Sequence, residues 1–132
     1  MSKKERPSIE AWLDEAKRHP DADRIGMILT HSGIVRATSR AMVREGAKNT
    51  KPVAGMKFAC DEAKMKAAIQ KTLEMPGIYV VKVWLNEGEL QTGDDIMLAM
   101  IGGDIRPHVV DALEYLIDTL KRECVAEEER YV

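Results

Sequence analysis

VAGMKFACDEAKMKAAIQKTLEMPGIYVVKVWL, residues 53–85, carries the pattern that decides the fold class. Val53 to Cys60 is an apolar run of strand length. Asp61 then offers a helix cap. Met65, Ala68, Ile69, Thr72 and Leu73 recur at helical spacing as far as about Glu74. Met75-Pro76-Gly77 stops that helix. Ile78 to Leu85 returns to a strand, built on Val80, Val81, Val83 and Trp84. The stretch therefore reads strand, helix, strand.

Downstream, Asn86-Glu87-Gly88 and Gly93-Asp94 are turn signals, and a strand follows from Asp95 to Ile101. Gly102-Gly103-Asp104 opens into the best helix of the chain. Pro107 suits its first turn, and Val109, Ala112, Leu113, Leu116, Ile117 and Leu120 form an apolar stripe reaching about Glu123. Residues 125–132, with Glu127, Glu128, Glu129 and Arg130 in a row, read as a solvated acidic tail. Upstream, Ser8 to Arg18 reads as a capped helix ended by Pro20-Asp21, and Arg24 to His31 as a strand. Between them and Val53 lies a stretch without periodicity, residues 32–52. Its Arg36, Arg40, Arg44, Lys48 and Lys51 stand against Glu45 alone. A long unpatterned loop is either functional or a solvated excursion. The order contains β-α-β-β-α. It predicts one α+β domain over residues 1–132, ferredoxin-like in part, with a mixed sheet and helices packed on one face.

Composition excludes several classes of function. The 132 residues carry 20 basic and 22 acidic side chains, a net charge of −2. Nucleic-acid binding needs a clustered positive excess, so a globally basic binder is excluded. No apolar run reaches the roughly 18 residues of a membrane span. The first residues are charged with no apolar region behind them, so no export signal is visible. Cys60 and Cys124 match no metal spacing and read as reduced thiols of a cytoplasmic protein. No phosphate loop, GxGxxG, HExxH or GxSxG is present. Gly102-Gly103 before a helix is a turn first and an anion site only weakly. Of His19, His31 and His108, His31 is the most interesting, because it ends a strand beside the basic loop. The remaining constellation is cationic: Arg36, Arg106 and Lys121. Fifteen helical positions separate the last two, roughly 22 Å, so one helix does not bring both to one point. A shared site needs a bend, long side chains or a second subunit. The competing reading is three ordinary surface charges.

Gly33-Ile34-Val35-Arg36, after an apolar strand, resembles the G-x-V-R motif of the large, catalytic subunit of molybdopterin synthase. Gly88-Glu89-Leu90-Gln91-Thr92-Gly93-Asp94 is similar to that family's G-E-L-x-x-G-D turn. Asp118-Thr119-Leu120-Lys121 is similar to the D-x-L-K close of its last helix. The resemblance runs over about residues 8 to 130. It implies an α/β hammerhead fold with a ferredoxin-like part, and a homodimer with a small ubiquitin-like subunit docked at each end of a heterotetramer. It also implies a reaction. Sulfur passes from the small subunit's C-terminal Gly-Gly thiocarboxylate to cyclic pyranopterin monophosphate, giving molybdopterin, with no metal or cofactor in the subunit. On the matched positions Lys121 is the catalytic lysine, and Arg36 and Arg106 hold anionic groups. Arg40 of the basic loop joins them as a substrate-binding candidate.

The chain also departs from the pattern. Ile105 stands where the family's His-Arg pair has histidine, and Glu128 falls where a second lysine is expected. Leu85-Asn86 replaces a His-Arg before the G-E-L turn, and the E-x-Y after the second strand is absent around Met56 to Ala59. A non-catalytic or regulatory relative that binds a ubiquitin-like tail or an anionic pterin on the same scaffold is therefore the alternative. An unrelated small-ligand domain of ferredoxin-like architecture is the third reading.

Overall fold

The computed structural model describes residues 5–38 and 53–131. In chain order the elements are α1 (Ile9–Lys17), β1 (Met27–Ile34), β2 (Val53–Cys60), α2 (Glu62–Leu73), β3 (Ile78–Leu85), β4 (Gly88–Gln91), β5 (Asp95–Gly103), α3 (Arg106–Thr119) and β6 (Val125–Tyr131). The helix starts follow their sequence signals. The Ser8 hydroxyl accepts from the Ala11 amide at 3.2 Å, and the Asp61 carboxylate accepts from the Lys64 amide at 3.1 Å. Pro107 sits in the first turn of α3, where its missing N–H costs nothing. Among the described residues no helix is long and apolar enough to cross a membrane.

The α+β class stands. In place of one mixed sheet there are two three-stranded sheets, ordered β1-β5-β3 and β4-β2-β6, and every pairing is antiparallel. Strand β5 is the hub of the first sheet. Its Gly33–Met97 and Leu29–Ile101 pairs join it to β1, and Leu85–Met97 and Val81–Ile101 join it to β3. Both faces of β5 are buried. Ala99 and Ile101 pack in the core with Ala68 of α2 and with Val109, Ala112 and Leu116 of α3. Leu98 and Met100, of opposite parity, are fully buried on the other side.

That other side is where α1 lies, so the helices do not share one face. Lys82 alternates with the core-facing Val81 and Val83. Its ammonium pairs with Glu15 and sits 5.8 Å from the centre of the Trp12 ring. Ala16 of α1 is buried. The expectation of helices on one face holds for α2 and α3 and not for α1.

The tail is the larger correction. Residues 125–131 are not solvated chain but β6, paired with β2 from Cys60–Val125 to Val53–Tyr131. Its acidic run conceals the strand, since apolar alternation is the signal for one. Charge across the ladder supports it instead. Lys57 on β2 stands opposite Glu128 of β6 and Glu89 of β4, and Arg130 reaches Glu89 at 3.2 Å. Strand β4 likewise occupies the turn region expected near Gly88. A Cβ at Gly55 would run into the Leu90 carbonyl, so only glycine lets β2 and β4 approach this closely.

Lys57→Glu would place a third carboxylate between Glu89 and Glu128. It is expected to cost roughly 0.5–2 kcal/mol of stability in urea unfolding, partly restored by salt. An unchanged midpoint would mean that the tail does not pair with β2.

Candidate functional site

Among the described residues, the two sheets and the end of α3 enclose a cleft of about 580 Å³. Its apolar part is Met56 of β2 with Ile96 and Met97 of β5. Met56 and Met97 are members of the hydrophobic core, so the cleft is the open end of the core layer.

One wall comes from β1 and the residues after it: His31, Gly33, Ile34 and Arg36. Arg36 is held in place through its neighbour. The buried Val35 donates its amide to the Asp94 carbonyl at 3.0 Å and accepts from the Gly93 amide at 2.8 Å. Gly93 has φ +92°, a conformation that favours glycine. The two sequence motifs that look independent are thus hydrogen-bonded to each other, and the second fixes the backbone from which Arg36 projects. Gly33 keeps the wall thin: a Cβ there would lie 3.1 Å from Met97 Cγ.

A second wall is the end of α3. The helix passes after Thr119 into a π turn, Leu120–Cys124, in place of the plain α-helix expected to Glu123. Single π turns are frequent at functional sites. Leu120 and Cys124 stay buried, while Asp118, Lys121 and Arg122 face the cleft. Thr119 Oγ1 is buried beside the turn with no hydrogen-bond partner among the described residues. Burial pushes the Cys124 thiol above its ordinary pKa, helped by Glu123 and Asp61, which keeps it protonated and inert.

The third wall is β6, whose Val125, Glu127 and Glu129 face inward. Glu128, of the other parity, stands on the outer face opposite Lys57. The reversed charge expected at Glu128 therefore does not reach the cleft, but its two neighbours bring carboxylates there. Arg130 stands with Glu89 rather than replacing the missing lysine. Among the described residues, three cations (Arg36, Lys121, Arg122) share the cleft with three carboxylates (Asp118, Glu127, Glu129). Among those residues the cleft is balanced in charge, where the resemblance implies a basic pocket.

The structure thus joins Arg36 to Lys121, which lie far apart in sequence. It does not join Arg106 to them. Arg106 starts α3 beside Gly103, the residue of β5 that pairs with Met27 and Ile78, whereas the cleft lies at the Met97 end of the same strand. Ile105, in the position of the missing histidine, is 52% exposed at that far end. There Asp104 accepts from the Ile105 amide and bonds His108 Nδ1 at 2.7 Å, contacts that hold its carboxyl below the usual pKa range. Arg40 lies outside the described residues, as does most of the basic loop. Asn86, in place of an expected arginine, is buried and donates its side-chain amide to the Asp95 carbonyl at 2.8 Å, a turn-holding role.

Sequence reasoning missed Arg122, Asp118, Glu127 and Glu129. The helical pair was legible, since 118, 121 and 122 share a face at i, i+3 and i+4. The strand pair was not, because its alternation became meaningful only once the tail was known to be a strand.

A family model of the MoaE protein matches residues 3–123. The chain belongs to the MoaE protein family. No curated protein sequence matches it. Among solved structures, it is similar to the crystal structure of molybdopterin synthase from Staphylococcus aureus. That match has a TM-score of 0.73 and 18% identity over 97% of this chain and 88% of that one. It is also similar to the molybdopterin biosynthesis MoaE protein from Burkholderia ambifaria, with a TM-score of 0.70 and 18% identity over 97% and 84% of the chains. A third likeness is to the complex of subunits 1 and 2 of the molybdopterin-converting factor from Helicobacter pylori, with a TM-score of 0.65 and 20% identity over 93% and 75%. At these identities the likenesses are of fold, and they agree with the hammerhead architecture implied by the motifs.

His31 is half-buried, and its pKa lies below the ordinary imidazole value, first through desolvation and second through the charge of Lys121. In this MoaE protein Lys121→Met is expected to raise it part of the way back, with burial holding the rest. Titration of the imidazole C–H signals by NMR checks this. No change on removing Lys121 would mean that the two side chains do not share the cleft.

Proposed function

We propose that the chain acts in molybdenum cofactor biosynthesis as the large, sulfur-transferring subunit of a molybdopterin synthase. The observation that carries this reading is the meeting of Arg36 and Lys121 in one cleft with an apolar floor. A thiocarboxylate tail and a pterin phosphate are both anions, and guanidinium and ammonium groups bind such oxygens and sulfurs through charge-assisted hydrogen bonds. Met56, Ile96 and Met97 offer apolar contact for a fused ring. In this reading Lys121 acts on the reacting carbonyl, and Arg36 and Arg122 hold the anionic ends. The partner in this reading is a small ubiquitin-like subunit ending in Gly-Gly, and the acceptor is cyclic pyranopterin monophosphate. Arg106 enters only through a second copy of the chain, so the reading includes a homodimer whose partner copy supplies that arginine. A cytoplasmic place of action goes with it. The meeting of the matched arginine and lysine in one cleft supports this reading over that of a non-catalytic relative.

Reconstitution tests the proposal. The purified chain is mixed with thiocarboxylated small subunit and cyclic pyranopterin monophosphate, and molybdopterin is followed by mass spectrometry. Lys121→Ala is expected to lower product formation by about 10²-fold or more while the small subunit still binds. Turnover by Lys121→Ala at the wild-type rate would remove the lysine from the chemistry. Absence of product from the wild-type chain, with the small subunit bound, would favour the non-catalytic reading.

A further inference from the structure

The sulfur-transfer reading gives no role to His31, the imidazole that lines the cleft among the described residues. His31 stands on β1 two residues before Gly33, and both line the cleft with Lys121. A Cβ added at Gly33 would lie 3.9 Å from His31 Nε2, so this nitrogen is turned toward the glycine, where no side chain covers it. No hydrogen bond from the described residues engages the ring.

The other titratable groups of the cleft are proton donors or, by class, weaker bases. Arg36, Lys121 and Arg122 bear guanidinium and ammonium groups, which donate. Asp118, Glu127 and Glu129 bear carboxylates, weaker bases than an imidazole. Burial, with the Lys121 charge second, favours the neutral form of His31, so the imidazole has a lone pair to offer at physiological pH.

Sulfur transfer creates a need for such a group. Once a thiocarboxylate sulfur has displaced an oxygen substituent from a carbon of the pterin, it is the sulfur of a thioester. It stays with the pterin only if the bond to the acyl carbon of the small subunit is cut. Water supplies the atoms for that cut. We propose that His31 is the general base of the cleft that activates this water, an inference that rests on the sulfur-transfer reading. The water oxygen bonds to the acyl carbon while its proton passes to His31. The acyl carbon–sulfur bond breaks, and its electron pair leaves with sulfur as a pterin thiolate. The small subunit departs as a carboxylate, its remaining acid proton going to solvent, and His31 returns its own proton to solvent. No oxidant or reductant is required.

The test is the same reconstitution, with kcat and KM measured from about pH 5 to 8 for the wild-type chain and for His31→Gln. General-base catalysis is worth roughly 10²–10⁴-fold. His31→Gln is expected to lower kcat by at least about 10²-fold, with KM nearly unchanged. The wild-type rate is expected to fall on the acid side as the imidazole protonates, and the variant to lose that limb. The covalent thioester between small subunit and pterin should accumulate in the variant as a mass adduct. A variant with wild-type kcat and an intact acid limb overturns the base role and leaves the sulfur-transfer reading in place. A wild-type chain that makes no product overturns both. If His31→Gln fails to bind the small subunit, His31→Gly decides the matter: turnover restored by added imidazole supports the base, and none overturns it.

Discussion

The burial of β5 on both faces is the constraint from which the other parts take their positions. A strand with Leu98 and Met100 on one side and Ala99 and Ile101 on the other needs a layer above and a layer below. Helices α2 and α3 supply one and α1 the other. The same strand ends in Gly102-Gly103, where a Cβ on Gly103 would meet Gly77 and Val109, so the chain turns tightly into α3. The direction of α3 is therefore set by β5, and with it the distance between its two ends. One end carries Arg106 beside Gly103. The other carries Lys121 beside Met97, where β1 delivers Arg36.

Much of this was legible in the sequence, and the parts that were not share a cause. Strands β2 and β3 and helices α1 and α2 announced themselves through local periodicity and caps, because their burial pattern repeats within their own residues. The separation of Arg106 from Lys121 was legible too, from helical rise alone. Strand β6 was not, because its stability lies in residues far away: Lys57 opposite Glu128, and Glu89 beside Arg130. The pairing of the Gly33–Arg36 motif with the Gly88–Asp94 turn was visible only as two separate resemblances. The backbone bonds of Val35 to Gly93 and Asp94 explain why they occur together. Membership of the MoaE family then agrees with motif order.

Those carboxylates change what kind of site the cleft is. A purely basic pocket binds any anion of the right size, and salt weakens it evenly. A cleft whose described residues include three cations and three carboxylates repels an anion that arrives in the wrong orientation and rewards a ligand with donors at one edge and negative charge at another. Selectivity is gained at the expense of gross electrostatic attraction.

The π turn before β6 gives this arrangement an unusual control. A π turn is an α turn with one residue added, and strand parity has a period of two. With the turn as it stands, Glu127 and Glu129 point inward. With one residue fewer, the inward set would become Ala126, Glu128 and Arg130, whose charges cancel. The electrostatic character of the cleft is thus encoded in chain length as well as in residue type. A single-codon deletion in the turn shifts it by two charges without a substitution anywhere in β6.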